Sequence, residues 1–404
     1  MGLSRLRGPY SKLNYIKPEG QVISMKTGSY AVFVALAILL VVVLAPYTIR
    51  AIPAGWSGDT QLTNTTARDV VPEMAVDSSN NIHIIYSEDG LPFYARVTGG
   101  TIAVQKNLTA TNPGTFETAI AVDPLGRVHL AWRDRIKGYN LVYGQLNDVG
   151  NTIISPTPFT FNKRWASMPG LAVDPNGNPS VVYGLPTNPG SVGYTKLDSL
   201  GGVVISQKVV TETFVENWGP AVAVDPLDNI HIAWSDRRNE TYAIYYAKLD
   251  LNGRVLINDS KVSAGGGQST NPLDMALDSQ MNVYIAWMDD RDGNWEIYYA
   301  KLGPNGAILR GDTRLTNDSA TSWKPRIAIG PDDSLHITWE DERDGNKELY
   351  YKRLDSNGTV LVDETRLTYN LATSQNPDIA VDSTGAVHLV WEQDGEIYYK
   401  KSVP

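Results

Sequence analysis

No cysteine occurs among the 404 residues. Disulfides, thiolate metal sites and a cysteine nucleophile are thereby excluded. A domain folding outside the cell without disulfides needs a large self-closing core, and this length permits one. Basic runs are missing from the body of the chain, and the formal net charge is −9. Nucleic acid is therefore not an expected partner. Phenylalanine is scarce, with 6 residues against 21 Tyr and 10 Trp. That balance suits short strands whose aromatic side chains keep one polar atom near water. No amphipathic helical pattern interrupts the body, so the expected class is all-β.

One long apolar run is present. Between Lys26 and Arg50 lie 23 uncharged residues, and 31–45 (AVFVALAILLVVVLA) are apolar throughout. As a helix, 23 residues reach about 34 Å, enough to span a bilayer. The alternative is a signal peptide, with Met25 as a second possible start. Pro46 after Ala45, and Ile52 ahead of Ala54, make poor cleavage sites. Arg5, Arg7, Lys12, Lys17 and Lys26 precede the run and only Arg50 closely follows it. The positive-inside bias puts the N-terminus in the cytoplasm. The expected organisation is a short basic cytoplasmic segment (1–28), a transmembrane signal-anchor (29–49), a linker (50–56) and an extracytoplasmic domain (57–404). The alternative location is secretion after cleavage.

The domain repeats one pattern. It reads PAVAVDPLDNIHIAWSD from Pro220, PRIAIGPDDSLHITWED from Pro325 and PDIAVDSTGAVHLVWEQ from Pro377. The aromatic ending the second strand recurs at Tyr86, Trp132, Tyr183, Trp234, Trp287, Trp339 and Trp391, at intervals of 46, 51, 51, 53, 52 and 52. A period near 50 built from short strands marks a β-propeller blade. Each unit reads as four strands, with turn signals such as LNG and SNG before the fourth. The seventh unit stops after its third strand. Residues 58–64 (GDTQLTN) match 311–317 (GDTRLTN) at six of seven positions. This N-terminal strand is expected to complete the C-terminal blade and close a seven-bladed ring.

The string W-x-D-x-R-D-G-N-x-E-[IL]-Y-Y, at Trp287 and at Trp339, resembles repeats of secreted and surface-anchored bacterial and archaeal seven-bladed β-propellers. These are grouped loosely with sialidase-like and WD40-like propellers. The resemblance covers about residues 57–404. It implies the fold and leaves the activity open, because propellers host many functions.

Three sets of residues are candidates for function. Asp134, Asp236, Asp289 and Asp341 recur two places after the aromatic, and Arg238, Arg291 and Arg343 follow. A charge-assisted pair within the turn is the structural reading. An arginine cluster that takes a carboxylate or sulfate, as sialidases use, is the functional one. The sialidase Asp-box S-x-D-x-G-x-x-W is not intact here, and no Tyr–Glu nucleophile pair stands out among the repeated Tyr pairs. Asp290, Asp292, Asn294 and Glu296 place oxygens at every second position, a weak sign of calcium; Arg291 within the loop works against it. No other cofactor is expected. Trp165, Trp218 and Trp323 lie on loops joining blades, and could stack on sugar rings, anchor a peptide, or cap the core. The five histidines, His83, His129, His231, His336 and His388, share one repeat position and read as architecture.

The expected function is a membrane-anchored, extracytoplasmic binding module without catalysis, its ligand a cell-surface polysaccharide or protein. The alternatives are a sialidase-like glycoside-processing enzyme and a structural envelope protein. An enzyme would need a non-repeating carboxylate with a raised pKa in the central opening.

Overall fold

A computed structural model describes residues 13–16, 22–25 and 55–403, except 110–113, 115–116, 136–139, 161–165, 186–190, 212–217 and 266. The chain divides into two units, Met1–Ala51 and Ile52–Pro404. Within the first, Leu13–Ile16 and Val22–Met25 pair as an antiparallel hairpin, inside the segment expected to be only a basic tail. The expected transmembrane segment 29–49 lies outside the described residues. Among the described residues, no helix is long and apolar enough to cross a membrane.

The second unit is seven four-stranded antiparallel sheets, each ordered as in the sequence except the last. The innermost strands are Asp69–Val76, Thr118–Val122, Ser167–Val173, Trp218–Val224, Ser269–Leu277, Ser322–Ile329 and Ser374–Val381, for blades 1 to 7. Each neighbours the next, and blade 7 returns to blade 1, so the ring closes. The seventh blade takes its outer strand from the N-terminus. Thr60–Gln61 pairs with Glu396–Lys401. Trp56 bridges Ser402, and Val403 N–H donates to Gly55 O at 2.8 Å.

Each second-strand aromatic is buried against the preceding blade. Trp287 meets Ala233, Ile244 and Tyr246 of blade 4. Trp339 meets Tyr284 and Ala286 of blade 5. Tyr86 of blade 1 meets Val390 and Tyr399 of blade 7. The repeated Tyr pairs follow from strand alternation. The first tyrosine stacks on its own blade's Trp, as Tyr350 does on Trp339 at 5.9 Å. The second faces the other side and bonds the repeat histidine; Tyr351 Oη lies 2.8 Å from His336 Nδ1. The histidines are indeed architectural. His83, His129, His231 and His388 also meet Asp77, Asp123, Asp225 and Asp382 at 3.0–3.2 Å. Burial lowers the histidines' pKa, His231 and His336 to about 4, so the rings stay neutral.

The inner strands begin earlier than the apolar runs in the sequence. Six of them carry a proline at the exposed inner edge, where a missing N–H breaks no ladder. A register shift accompanies it, as between Trp323 and Arg326 or Val70 and Glu73. Val71, Met168, Lys324 and Asn376, each just before the proline, have φ of 48–52°. Positive φ is uncommon for such residues, and these bulges reset which side chain faces the axis. Inter-blade connections and second-to-third-strand loops form one face, here the upper. First-to-second and third-to-fourth turns form the lower.

Candidate functional site

The inner strands enclose a cavity of about 850 Å³ that opens on the upper face. One repeat position, the residue just after the proline bulge, supplies its wall. Blades 1 to 7 place Glu73, Ala119, Gly170, Ala221, Asp274, Arg326 and Asp378 there. Four charged side chains thus lie together on blades 5, 6, 7 and 1, and three small residues lie together on blades 2, 3 and 4. On the small side the backbones come close. A Cβ on Gly170 would meet Pro220 O at 2.8 Å, which excludes a side chain there without movement. On the charged side, carboxylates bridge the blades. Asp274 Oδ2 accepts from Ile327 N–H of blade 6 at 2.8 Å, and Asp378 Oδ2 accepts from Met74 N–H of blade 1 at 2.7 Å.

Arg326 sits among Asp274, Asp378 and Glu73, with Nη2 3.4 Å from Glu73 Oε1. About a quarter of its side chain and a fifth of that of Glu73 remain open to the cavity. Burial pushes the Glu73 carboxyl up to about 8; Arg326 pulls it back and Asp378 and Asp274 push it further. Burial likewise raises Asp378 to about 6, opposed by Arg326 and reinforced by Asp274. Asp274 is raised by the same desolvation. A low-dielectric wall disfavours ionisation, and one guanidinium cannot compensate three carboxylates. Carboxylates of raised pKa thus face the central opening, at a position that none of the sequence motifs marks. Their signal was a departure from the repeat: a charge where blades 2 to 4 carry Ala or Gly.

The rim is aromatic on the same side. Trp295 lines the cavity, and its ring lies 6.0 Å from that of Trp323 at 30°. Lys347 Nζ lies 5.7 Å from the Trp323 ring. Buried Glu340 holds Lys324 Nζ at 3.0 Å and Lys347 Nζ at 2.9 Å, and accepts from Asn376 N–H at 2.7 Å. Tyr242, Gln268 and Glu117 complete the mouth. Of the three expected tryptophans, Trp323 stands at this rim. Trp218 opens the inner strand of blade 4, and Trp165 lies outside the described residues.

The expected arginines do not gather at the opening. Arg238, Arg291 and Arg343 are each held within their own blade. Nη2 binds Asp236, Asp289 or Asp341 at 2.5–2.7 Å, and Nη1 reaches Asp259, Asp312 or Glu364 on the outer strand at 2.5–2.6 Å. Each guanidinium lies 3.9–4.6 Å from a tyrosine ring. Such fork-shaped pairing is what arginine does best.

The calcium candidates point inward to their own loop. Asp290 accepts from Gln268 N–H at 2.6 Å. Asp292 accepts from Tyr298 Oη and lies 3.2 Å from Arg314. Asn294 donates to Glu296 and to the carbonyls of Asp318 and Ala320. Glu296, fully buried, accepts from Arg314, the Thr316 hydroxyl at 2.5 Å and Asp318 N–H. Blade 6 repeats this with Asp344, Asn346, Glu348 and Thr368. These oxygens pin the start of the third strand to the end of the fourth. Among the described residues, no group of three or more His, Asp or Glu is arranged to hold a metal ion.

No family model matches the chain, and neither does any curated protein. Solved structures are similar. An ulvan lyase, described as a new polysaccharide lyase family and bound to -[GlcA(1-4)Rha3S]-, has a TM-score of 0.60 at 11% identity, covering 86% of this chain and 94% of that one. A second polysaccharide lyase has a TM-score of 0.53 at 12% identity, covering 89% and 95%. A Hadza microbial sialidase has a TM-score of 0.51 at 9% identity, covering 80% and 73%. At such identities the likeness establishes the propeller fold alone.

Proposed function

We propose that the upper face binds a polysaccharide, and that the segment 29–49 anchors the chain so that this face is presented outside the cell. The observation that carries the reading is the cavity mouth, where the Trp295–Trp323 pair adjoins the polar wall of Asp274, Arg326, Asp378 and Glu73. A sugar ring offers an apolar face to an aromatic plane and hydroxyls to charged acceptors and donors. Polysaccharide-acting propellers among the similar structures favour a glycan over a protein ligand. With Glu73 held protonated near neutral pH, the wall still sets Asp274 and Asp378 against the single guanidinium of Arg326, which favours neutral or amine-bearing glycans over the sulfated uronic polymer of the ulvan lyase. A glycan array followed by calorimetry tests this. Trp295→Ala is expected to weaken binding by about tenfold, the worth of one ring contact. Equal affinity of this variant and the parent would reject the site.

A second reading rests on Glu73. A carboxyl kept protonated near neutral pH beside ionisable Asp378 is the equipment of a general acid in glycoside processing. Fluorogenic glycosides and oligosaccharides are the assay. Turnover lost in Glu73→Gln while glycan affinity persists would favour catalysis. Turnover unchanged in both Glu73→Gln and Asp378→Asn would exclude it.

A further inference from the structure

The lower face is not uniform. Each blade sends turns there, and most open with an Asp or Asn whose side chain curls back onto its own backbone. Asp198 Oδ1 accepts from Leu200 and Gly202 N–H at 2.9 and 2.7 Å, and Asp225 Oδ1 accepts from Leu227 N–H at 2.9 Å. The acid is drawn in and the next side chains project. In four of the six turns of blades 2, 3 and 4 the projecting residue is apolar: Leu125, Val149, Leu200 and Leu227, with Leu200 81%, Leu125 77% and Leu227 65% exposed. Asn176 and Asn252 are the polar exceptions, the latter beside Leu251, which is 47% exposed. The equivalent positions in the other blades are polar or glycine, as at Ser79, Asn305, Asn357 and Thr384. The outer strands leaving the blade 3 and 4 turns add Val204 and Leu256, but blades 5 and 6 expose Leu309 and Leu361 at the same position, so the difference between blades lies in the turn tips.

The chain also joins the propeller on this face. Ser402, which Trp56 bridges, caps the start of the second strand of blade 7 by accepting from Val387 N–H at 2.8 Å. Gly55 pairs with Val403 beside it. Only four residues lie between Gly55 and Arg50, the first charge after the apolar run, five Cα-to-Cα steps in all. Fully extended, they reach about 18 Å.

We infer that the lower face of blades 2 to 4 rests on the lipid bilayer that holds the anchor, its apolar turn tips entering the interfacial layer and the cavity mouth facing away. The tether part rests on the anchor reading above. Lipid suits these tips better than a second copy would. They are separate convex points, and two such surfaces leave gaps between them, whereas acyl chains flow around each tip. The turn-opening acids Asp123, Asp198 and Asp225 are folded into their turns, and the one left exposed beside a tip, Asp148, disfavours anionic lipid, so a zwitterionic surface suits the contact.

The lack of cysteine makes a clean test. Single cysteines at Leu200, Leu227, Ser319 on the upper face and Ala37 in the apolar run are labelled with an environment-sensitive fluorophore. The full chain is then reconstituted into phosphatidylcholine vesicles with or without nitroxide-bearing acyl chains. Labels at 200 and 227 are expected to be quenched at least twofold more than the label at 319, together with quenching at 37. Quenching at 37 with positions 200 and 227 no different from 319 would overturn the lipid-facing surface and leave the anchor standing. Quenching at none would overturn both. Shielding at 200 without nitroxide quenching, together with a dimer by light scattering, would assign the face to a second copy and overturn the lipid contact.

Discussion

The Glu73 carboxyl titrates far from its ordinary range because of where one side chain lies. It is raised from 4.5 to about 8. Its stabilising contribution is therefore complete below pH 4.5 and is lost as pH climbs through 8. Asp378, raised to about 6, acts with the same sign at lower pH. His231 and His336 act oppositely: lowered to about 4, they contribute above pH 6.5 and lose that contribution as pH falls through 4. Glu73→Gln keeps the shape and removes the ionisation. Its melting temperature should exceed the parent's at pH 9 and converge with it near pH 5. Parallel curves from pH 4 to 9 would refute the charge argument. This residue was hidden in the sequence for a geometric reason. The bulge before Pro72 shifts the register, and a one-residue slip in a strand exchanges its two faces. Nothing in PEMAVD says which side chain meets the axis. The histidines, in contrast, were readable as structure, because five identical choices at one repeat position answer one packing problem five times.

At the scale of a strand and its loop, the paired carboxylates of blades 5 and 6 act as fasteners. The Thr316 hydroxyl donates a hydrogen bond to Glu296 and accepts one from Ile297 N–H at 2.9 Å. Thr368 and Glu348 do the same in blade 6, and Thr63 and Glu396 in blade 7. Thr316→Val conserves shape and strands both partners in a buried site. We expect a loss of about 1–3 kcal/mol, read from the urea midpoint at unchanged slope. Millimolar calcium should leave the parent's melting temperature where it is, since the loop oxygens already accept protein donors; a rise would show that an ion displaces them. The sequence displayed the oxygen spacing but not the partners. Glu296 and Thr316 are 20 residues apart, and Arg291 and Asp312 are 21 apart. Only folded strand pairing brings them together.

For the whole molecule, ring closure is the element on which cooperative folding depends. Residues 56–63 supply the outer strand of blade 7 and cover its third strand, as the likeness of GDTQLTN to GDTRLTN led one to expect. A chain beginning at Gly55 should melt in one cooperative transition. One beginning at Thr66 exposes a strand edge and loses Trp56 from its place 5.1 Å from Tyr351. It should melt earlier and associate through the open blade. Equal melting temperatures would contradict the closure. This part of the architecture was legible early because repetition with a missing fourth strand leaves a ring few other ways to end. The lopsided cavity wall was not, since it depends on all seven blades at once.

The closing strand also sets how the propeller bears load. The chain reaches it at the lower face and runs up beside the C-terminal strand, bonded at Gly55–Val403, Ser57–Lys401 and Leu62–Ile397. A pull on the N-terminal tether, directed away from that face, runs along the strand axis. The rungs then share the force in shear instead of opening one after another like a zipper. On the anchoring proposed above, a pull between the N-terminal segment and the upper mouth would load these rungs together, so the seventh blade should stay closed under tension.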